Sequence, residues 1–451
     1  MNSPEISVLE SLYRQHIAEL ERRYAPVLQA AGYDAVLIHS GSLKKRSDFD
    51  DQYWPLRVVP HFQHWLPLAL PDCAVYLEPG GKRILYWLQS QSYWERPAEP
   101  ETQHFAAHWQ VELVTSAEAI KGLLPTDKCI AFIGEDKARA ASWGIQDTLQ
   151  NPYNLIGKLD RLRAVKTPYE VLCLSEANRR AALGHEAVLQ AFRSGVHSEL
   201  ELHLAYLGAT GQDDTDTPYK NIVALGKNGA TLHHVTYERR AIEKAGESLL
   251  VDAGAVYQGY CSDITRTWYK GTGASIDAFG HLVHEVEGMQ QRLCEAVHLG
   301  LGYEELHEES HRQITQILHT IGLLRCSVDE ALAKKLSRSF YPHGLGHSLG
   351  LQTHDVGCAL VRPKPENPYL RNTSTIQAGQ CFTVEPGVYF IDFLMAELRQ
   401  GEHSGVVDWA LAEGLAALGG VRIEDDLVVT DDALKHRNLT RELLPRGGGL
   451  A

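Results

Sequence analysis

Four carboxylates and several histidines stand in this sequence where polar side chains are out of place. Asp252 and Asp263 lie in the run 248–268, two β-rich stretches on either side of Gln258-Gly259, a dipeptide suited to a tight hairpin turn. With those two residues as the loop, Tyr257 pairs with Tyr260, Asp252 with Thr265 and Asp263 with Gly254. Paired residues share a face and side chains alternate with period two, so both aspartates point the same way. Asp is disfavoured in strands, and two on one face repel each other unless a cation lies between them. A solvated strand face with incidental acids is the plainer alternative.

Downstream, His343, His347 and His354 fall within twelve residues among Gly344, Gly346 and Gly350. A structural core is not written that way. Glycine lets the backbone turn sharply and approach a ligand, and imidazole ligates metals and moves protons. Next, Cys381-Phe382-Thr383-Val384 reads as a strand ending in Glu385 before a Pro386-Gly387 turn. Residues 420–429 read as one apolar strand with Arg422 and Glu424 on one face. Asp252, Asp263, His347, Glu385 and Glu424 together offer hard oxygen donors and one nitrogen. That mix suits Mn²⁺, Co²⁺ or Fe²⁺, and Zn²⁺ less specifically. Five ligands are too many for one catalytic ion with an open position, but they can hold two ions. Two ions ~3.5–4 Å apart can hold a hydroxide between them and polarise a carbonyl, which is the chemistry of a hydrolase.

Two short motifs compete with this reading. Gly346-His347-Ser348-Leu349-Gly350 fits the G-x-S-x-G elbow of serine esterases, with Ser348 as nucleophile. That elbow follows a buried apolar strand, whereas Pro342 and Gly344 precede this one. His307-Glu308-Glu309-Ser310-His311 fits the zincin signature H-E-x-x-H. Its helix carries an apolar stripe of Tyr303, Leu306, Ile314, Ile317 and Ile321, with both histidines at the stripe's edge. A partly exposed amphipathic helix accounts for it.

The elements that must hold these residues divide the chain in two. A length of 451 residues exceeds one ordinary core. Residues 8–31 have helical periodicity, and strands are expected at 35–38, 73–77, 83–88 and 129–133, with a helical patch at 117–124. The turn Glu78-Pro79-Gly80-Gly81 joins the second and third strands. The texture changes at 163–168, where Thr167 suits an N-cap and Pro168 the first turn of a long helix. The expected domains are therefore an α/β domain over 1–160 and an α+β domain over 161–451. The latter carries long helices near 276–299 and 303–321, and its tail Gly447-Gly448-Gly449 is expected to fray. Charge is 43 basic against 57 acidic residues, a net of −14. With no basic run, this argues against nucleic acid and anionic membranes. No apolar run is long enough to span a bilayer, and Met1–His16 lacks the apolar stretch of a signal peptide. Eight scattered cysteines, none in a C-x-x-C pair, read as buried free thiols of a cytoplasmic protein.

Taken in order, the five ligand candidates and their neighbourhoods resemble the dinuclear "pita-bread" peptidases, and most of all the bacterial Xaa-Pro dipeptidase (prolidase) and organophosphorus acid anhydrolase group. Asp50-Asp51, Tyr53-Trp54-Pro55, Val59-Pro60 and Trp65-Leu66-Pro67 carry the likeness in the first domain. In the second it is carried by Asn221–Leu225, Leu232-His233, His354–Gly357 and Gly387–Asp392. The resemblance implies a creatinase-like α/β domain that dimerises and covers the active site, followed by a pita-bread catalytic domain. It implies that Asp252 binds one ion, that His347 and Glu385 hold the other, and that Asp263 and Glu424 bridge them. His233, His343 and His354 would line the pocket around the scissile bond, with His354 steadying the oxyanion and Glu385 shuttling the proton. Tyr219, Arg371 and Arg422 would support the substrate. Asp51 would reach the partner subunit's site in a homodimer and meet the substrate's ammonium. The implied reaction is hydrolysis of Xaa-Pro dipeptides by a hydroxide between two Mn²⁺ ions. Organophosphate triesters are a side substrate, and aminopeptidase P-like cleavage is the alternative. Three positions depart from the group: His234 stands for its usual Tyr, Thr353 for Val, and Ser374 for a second Arg after Arg371.

Overall fold

The apolar stripe near the start forms one helix, Ile6–Ala30, which buries Leu9, Tyr13, Ile17, Leu20, Tyr24 and Leu28 at three-and-four spacing. The computed structural model that shows this describes residues 6–89, 99–100, 103–195, 198–240, 247–356, 361–432 and 435–451. The chain forms two compact units, Met1–Leu172 and Cys173–Ala451.

In the first unit, β1 (Ala35–His39), β2 (Ala74–Leu77), β3 (Arg83–Leu88), β4 (Gln110–Val114) and β5 (Ile130–Ile133) make a mixed sheet in the order β4-β3-β2-β1-β5. β1 and β2 run antiparallel, as do β2 and β3, while β1–β5 and β3–β4 are parallel. Gly80 and Gly81 close the β2–β3 turn with φ of 110° and 98°, which glycine alone adopts freely. β4 has no expectation behind it: as an edge strand it buries only Val114 fully, so it lacks a continuous apolar run. The patch at 117–124 is a 3₁₀ helix, Ala117–Leu123, not an α-helix.

Thr167 caps the helix Pro168–Arg193 as expected. Its hydroxyl accepts from the Glu170 N–H at 3.4 Å, and Glu170 Oε2 accepts the Thr167 N–H at 2.8 Å. This is the reciprocal capping box.

In the second unit the main sheet runs β16-β10-β7-β6, from β6 (Ile222–Leu225), β7 (Ser248–Asp252), β10 (Thr265–Tyr269) and β16 (Gly448–Leu450). Between β7 and β10 lies the small hairpin β8 (Val256–Tyr257) and β9 (Tyr260–Cys261). Gln258 and Gly259 have φ of 51° and 88°, the backbone of a type I′ turn. The register is the expected one, Asp252 opposite Thr265 and Tyr257 opposite Tyr260. Three further pairings complete the frame: β11 (Cys381–Val384) with β14 (Asp425–Val428), β14 with β15 (Arg437–Asn438), and β12 (Gly387–Tyr389) with β13 (Gly420–Arg422). The helices Ala274–Glu295 and Tyr303–Thr320 supply much of the core, with Phe279, Leu282, Val286, Ile314 and Leu318 buried.

Several expectations need correction. Residues 420–429 are not one strand. The pairing changes from β12 to β11 across Ile423-Glu424, and the Glu424 N–H turns instead to the Thr265 carbonyl at 3.1 Å. The first long helix ends at Glu295 rather than near 299, ahead of Gly300 with φ of 87°. The glycine tail is ordered: β16 lies parallel to β10, so close that a Cβ on Gly448 would meet the Thr267 carbonyl oxygen at 2.1 Å. The seven described cysteines are free, but Cys129 and Cys294 are only half-buried. Cys358 and Gly357 lie outside the described residues. Among the described residues no helix is long and apolar enough to cross a membrane.

Candidate active site

The hairpin register brings Asp252 and Asp263 to one hydroxyl. Tyr219 Oη lies 2.7 Å from Asp252 Oδ1 and 2.5 Å from Asp263 Oδ1. On its other side Asp252 Oδ2 accepts from Arg422 Nη2 at 2.6 Å. The guanidinium also donates from Nε to Thr265 Oγ1 (3.1 Å) and from Nη1 to Tyr389 Oη (3.0 Å). Arg422 and Tyr219, expected among substrate-binding groups, are thus turned onto the carboxylates. Arg422 still forms part of the cavity wall.

His347 arrives on a loop that runs along β11 as an irregular strand. The Thr383 N–H donates to the His347 carbonyl at 2.9 Å, and the Glu385 N–H donates to the Leu345 carbonyl at 2.8 Å. The glycines make this approach possible. A Cβ on Gly346 would meet the Thr383 carbonyl oxygen at 2.3 Å, and one on Gly344 would meet Leu370 Cα at 2.8 Å. Neither has positive φ, so they serve close backbone packing rather than the sharp turn expected of them, and both lie in the wall of the cavity described below.

His347 Nδ1 faces the Ser348 carbonyl at 3.1 Å, which places the proton on Nδ1. The lone pair on Nε2 then points at Asp263 Oδ2 (3.3 Å) and Glu385 Oε1 (3.6 Å). Three acceptors facing one another call for a cation between them. Asp263, His347 and Glu424 each offer a ligand atom, all within 4.8 Å of one another. Burial, followed by the neighbouring carboxylates, pushes Asp263 and Glu424 well above the carboxylate range. Burial also pushes Glu385 up to about 7, against the pull of His347 and Arg422. Four carboxylates around one guanidinium leave an excess of negative charge that a buried site does not hold without added positive charge. The donor set therefore fits bound divalent cations.

These groups open on a cavity of about 580 Å³ whose wall includes His233, His343, His354 and Arg371. His343 Nδ1 faces the Gly344 carbonyl and Nε2 the Tyr389 hydroxyl, both at 2.8 Å. Burial, then Arg422, pushes His343 down to about 3, which keeps it neutral. Arg371 is exposed in the wall and pairs with no carboxylate among the described residues. Asp51 belongs to the first unit, exposed in a loop with Phe49, Tyr53 and Trp54.

The competing motifs do not form sites. Ser348 bridges to Phe382 within the loop along β11, so no strand-turn-helix elbow exists. His307 and His311 are buried, not at an exposed edge, with their rings 4.8 Å apart; His311 Nδ1 meets Ser337 Oγ at 3.0 Å. Of the three departures, His234 bonds Glu199 and Ser374 donates to Asn372 Oδ1 at 2.7 Å.

Sequence reasoning missed the supports behind the carboxylates. Thr265 Oγ1 donates to Glu424 Oε2 at 2.6 Å. Asp426 Oδ2 accepts the Asp263 N–H at 3.1 Å and the Asn178 side-chain amide at 2.8 Å. Asp425 is buried against Arg266 and Arg441. A signal existed for the last two: three consecutive acids leading into an apolar strand cannot all be solvated.

The sequence profile of metallopeptidase family M24 matches residues 173–431, and that of the Xaa-Pro dipeptidase N-terminal domain matches 11–160. An Xaa-Pro dipeptidase of Pseudoalteromonas atlantica is 38% identical over 445 residues, 96% of this chain and 99% of that protein. One from Xanthomonas campestris is 38% identical over 452 residues, 98% and 99%. Among solved structures, Escherichia coli aminopeptidase P in complex with substrate superposes with a TM-score of 0.74 at 23% identity, covering 96% of this chain and 95% of that one. Pseudomonas aeruginosa aminopeptidase PepP gives 0.72 at 22%, covering 95% of each. These structures share the two-domain fold. The chain belongs to metallopeptidase family M24, with a dipeptidase-type N-terminal domain ahead of a pita-bread catalytic domain.

Proposed function

We propose that this protein is a dinuclear-metal Xaa-Pro dipeptidase, a prolidase that hydrolyses the imide bond of dipeptides ending in proline. The observation that carries the reading is the convergence of four carboxylates and His347 Nε2 on a cavity whose wall also holds Arg371, which pairs with no carboxylate among the described residues. Full-length relatives named Xaa-Pro dipeptidase support it. Asp252, Asp263, His347, Glu385 and Glu424 would hold two divalent cations, Mn²⁺ by preference, which would supply an acidified water and Lewis acidity at the scissile carbonyl.

The chain's own groups do the rest. Glu385, in the cavity wall beside the other carboxylates, is the group placed to carry a proton to the leaving nitrogen. His354 donates to the developing oxyanion, beside His233 and His343 in the wall. Arg371 takes the substrate carboxylate through charge-assisted bonds. Asp51 of a second copy takes the ammonium, which makes the working form a homodimer, and the free cysteines suit a cytoplasmic setting. Proline presents a tertiary amide without N–H, so the wall must recognise ring shape. Organophosphate triesters would be a side substrate.

Activity should vanish with chelators and return with Mn²⁺ or Co²⁺. The deciding measurement is kcat/KM for Leu-Pro against Leu-Pro-Gly on Mn²⁺-loaded protein. A dipeptidase prefers Leu-Pro. Preference for the tripeptide would assign an aminopeptidase P-like activity instead.

A further inference from the structure

Glu199 opens the helix Glu199–Thr210, and its carboxylate is wholly buried. Four donors converge on it. Oε1 accepts the Leu225 N–H and the Asn228 side-chain amide, each at 2.9 Å. Oε2 accepts from His234 Nε2 at 2.7 Å and from the Glu238 N–H at 2.8 Å. Its position in the first turn favours the anion. Burial raises its pKa, but His234, the two N–H groups and Asn228 outweigh that and hold it below the usual range.

Residues 231–240 form neither helix nor strand. This segment nevertheless supplies Leu232 and His233 to the cavity wall. At its start the Thr231 N–H donates to the Asn228 carbonyl at 2.9 Å, and near its end the Tyr237 ring stacks on His203 at 4.5 Å. His234 and the Glu238 N–H reach Glu199, the Glu238 carbonyl accepts from Leu200 N and Ser198 Oγ, both at 3.2 Å, and Tyr237 Oη donates to the Asn221 carbonyl. One peptide unit separates the anchored ring of 234 from His233.

We infer that the Glu199–His234 pair is a positioning device that aims His233 into the cavity, although neither residue lines it. The inference rests on the proposed dipeptidase reading, with His233 acting on substrate bound in the cavity that it lines. It predicts that losing the His234 bond lets the segment drift. A misplacement of about 1 Å can cost on the order of a hundredfold in rate.

A double-mutant cycle tests this on the full-length, Mn²⁺-loaded protein with Leu-Pro as substrate. His234→Phe should lower kcat/KM by about ten- to a hundredfold with metal stoichiometry unchanged. His234→Tyr, which restores a donor, should recover most of it. In a His233→Ala background, His234→Phe should cost nothing further. An equal additional loss there would mean that His234 acts on the fold at large, and would overturn the inference. A harmless His234→Phe beside a damaging His233→Ala would overturn it too, leaving the role of His233 standing. A harmless His233→Ala would remove that role and this inference together. If His234→Phe does not fold, the isosteric Glu199→Gln goes through the same cycle with the same criteria.

Discussion

At the scale of single residues, one hydroxyl couples both flanks of the carboxylate cluster. Thr265 Oγ1 donates to Glu424 Oε2 at 2.6 Å and accepts from Arg422 Nε, and Arg422 in turn holds Asp252. Valine has the same shape and none of these bonds. Groups that orient ligands in this way are typically worth 10- to 100-fold in metal affinity. Thr265→Val should therefore bind Mn²⁺ about 10- to 100-fold more weakly in a calorimetric titration of metal-free protein, and Thr265→Ser should stay near wild type. Unchanged affinity in the valine variant would show that the hydroxyl does not orient the ligands. Nothing in the sequence marks Thr265, because threonine in a strand is ordinary. Asp252, Asp263, His347, Glu385 and Glu424 were legible for the opposite reason, as residue types that an apolar strand or a glycine loop does not otherwise carry. Tyr389 and Asn178 were hidden because their partners come from distant segments. For Tyr219 and Arg422 the residue was legible but not what it touches.

At the scale of elements, legibility followed local signals. The β8–β9 turn was legible because Gln258-Gly259 requires φ > 0 at two positions, and period two then carried the register out to Asp252. Thr167-Pro168 marked a helix start through chemistry confined to one turn. The change of partner between β13 and β14 was not legible, since it depends on which strand lies alongside. Nor was β16, where glycine signals close packing against Thr267 instead of fraying. The helix start at Thr167 also anchors a buried histidine cluster that sequence gave no reason to expect. His16 Nδ1 meets Thr167 Oγ1 and its Nε2 the His64 carbonyl, both at 2.8 Å, while His64 Nε2 lies 3.6 Å from Glu170 Oε1. Burial pushes His64 down from 6.5 to about 4, with Glu170 only partly offsetting it. A histidine pKa lowered by folding means that the unfolded chain takes up the proton first. The contribution of His64 is thus complete above pH 6.5 and is lost as pH falls from 6.5 through about 4. It amounts to about 3 kcal/mol. Urea denaturation at pH 7 and at pH 4.5 should show that loss in the wild type, and His64→Gln should flatten the difference. An equally steep pH dependence in the variant would place the acid sensitivity elsewhere.

At the scale of the whole molecule, the open question is what the exposed loop of the first unit meets. Phe49 is fully exposed, and Tyr53 and Trp54 are about half exposed, next to Asp50 and Asp51. Large exposed aromatics gathered in one loop mark a binding surface, and a carboxylate among them suits an ammonium group. If Asp51 serves the cavity of a second copy, each working site is built from two chains, Asp51 from one and His354 and Glu385 from the other. Activity can then be split and restored. Asp51→Ala alone should raise KM for Leu-Pro more than it lowers kcat, because it removes a contact to the substrate's end and not to the scissile bond. Glu385→Ala alone should be inactive. Co-expressed, the two variants form mixed dimers in which one site carries both lesions and the other carries neither. With random pairing in a two-fold dimer, half the dimers are mixed and half their sites are intact, so roughly a quarter of wild-type activity should return. A site built within one chain gives no such recovery: every site in the mixture would carry one lesion, and activity would stay at the mean of the two parents. Recovery above that mean, measured at low substrate where Asp51→Ala alone is weak, would establish both the dimer and the exchange of Asp51 across it.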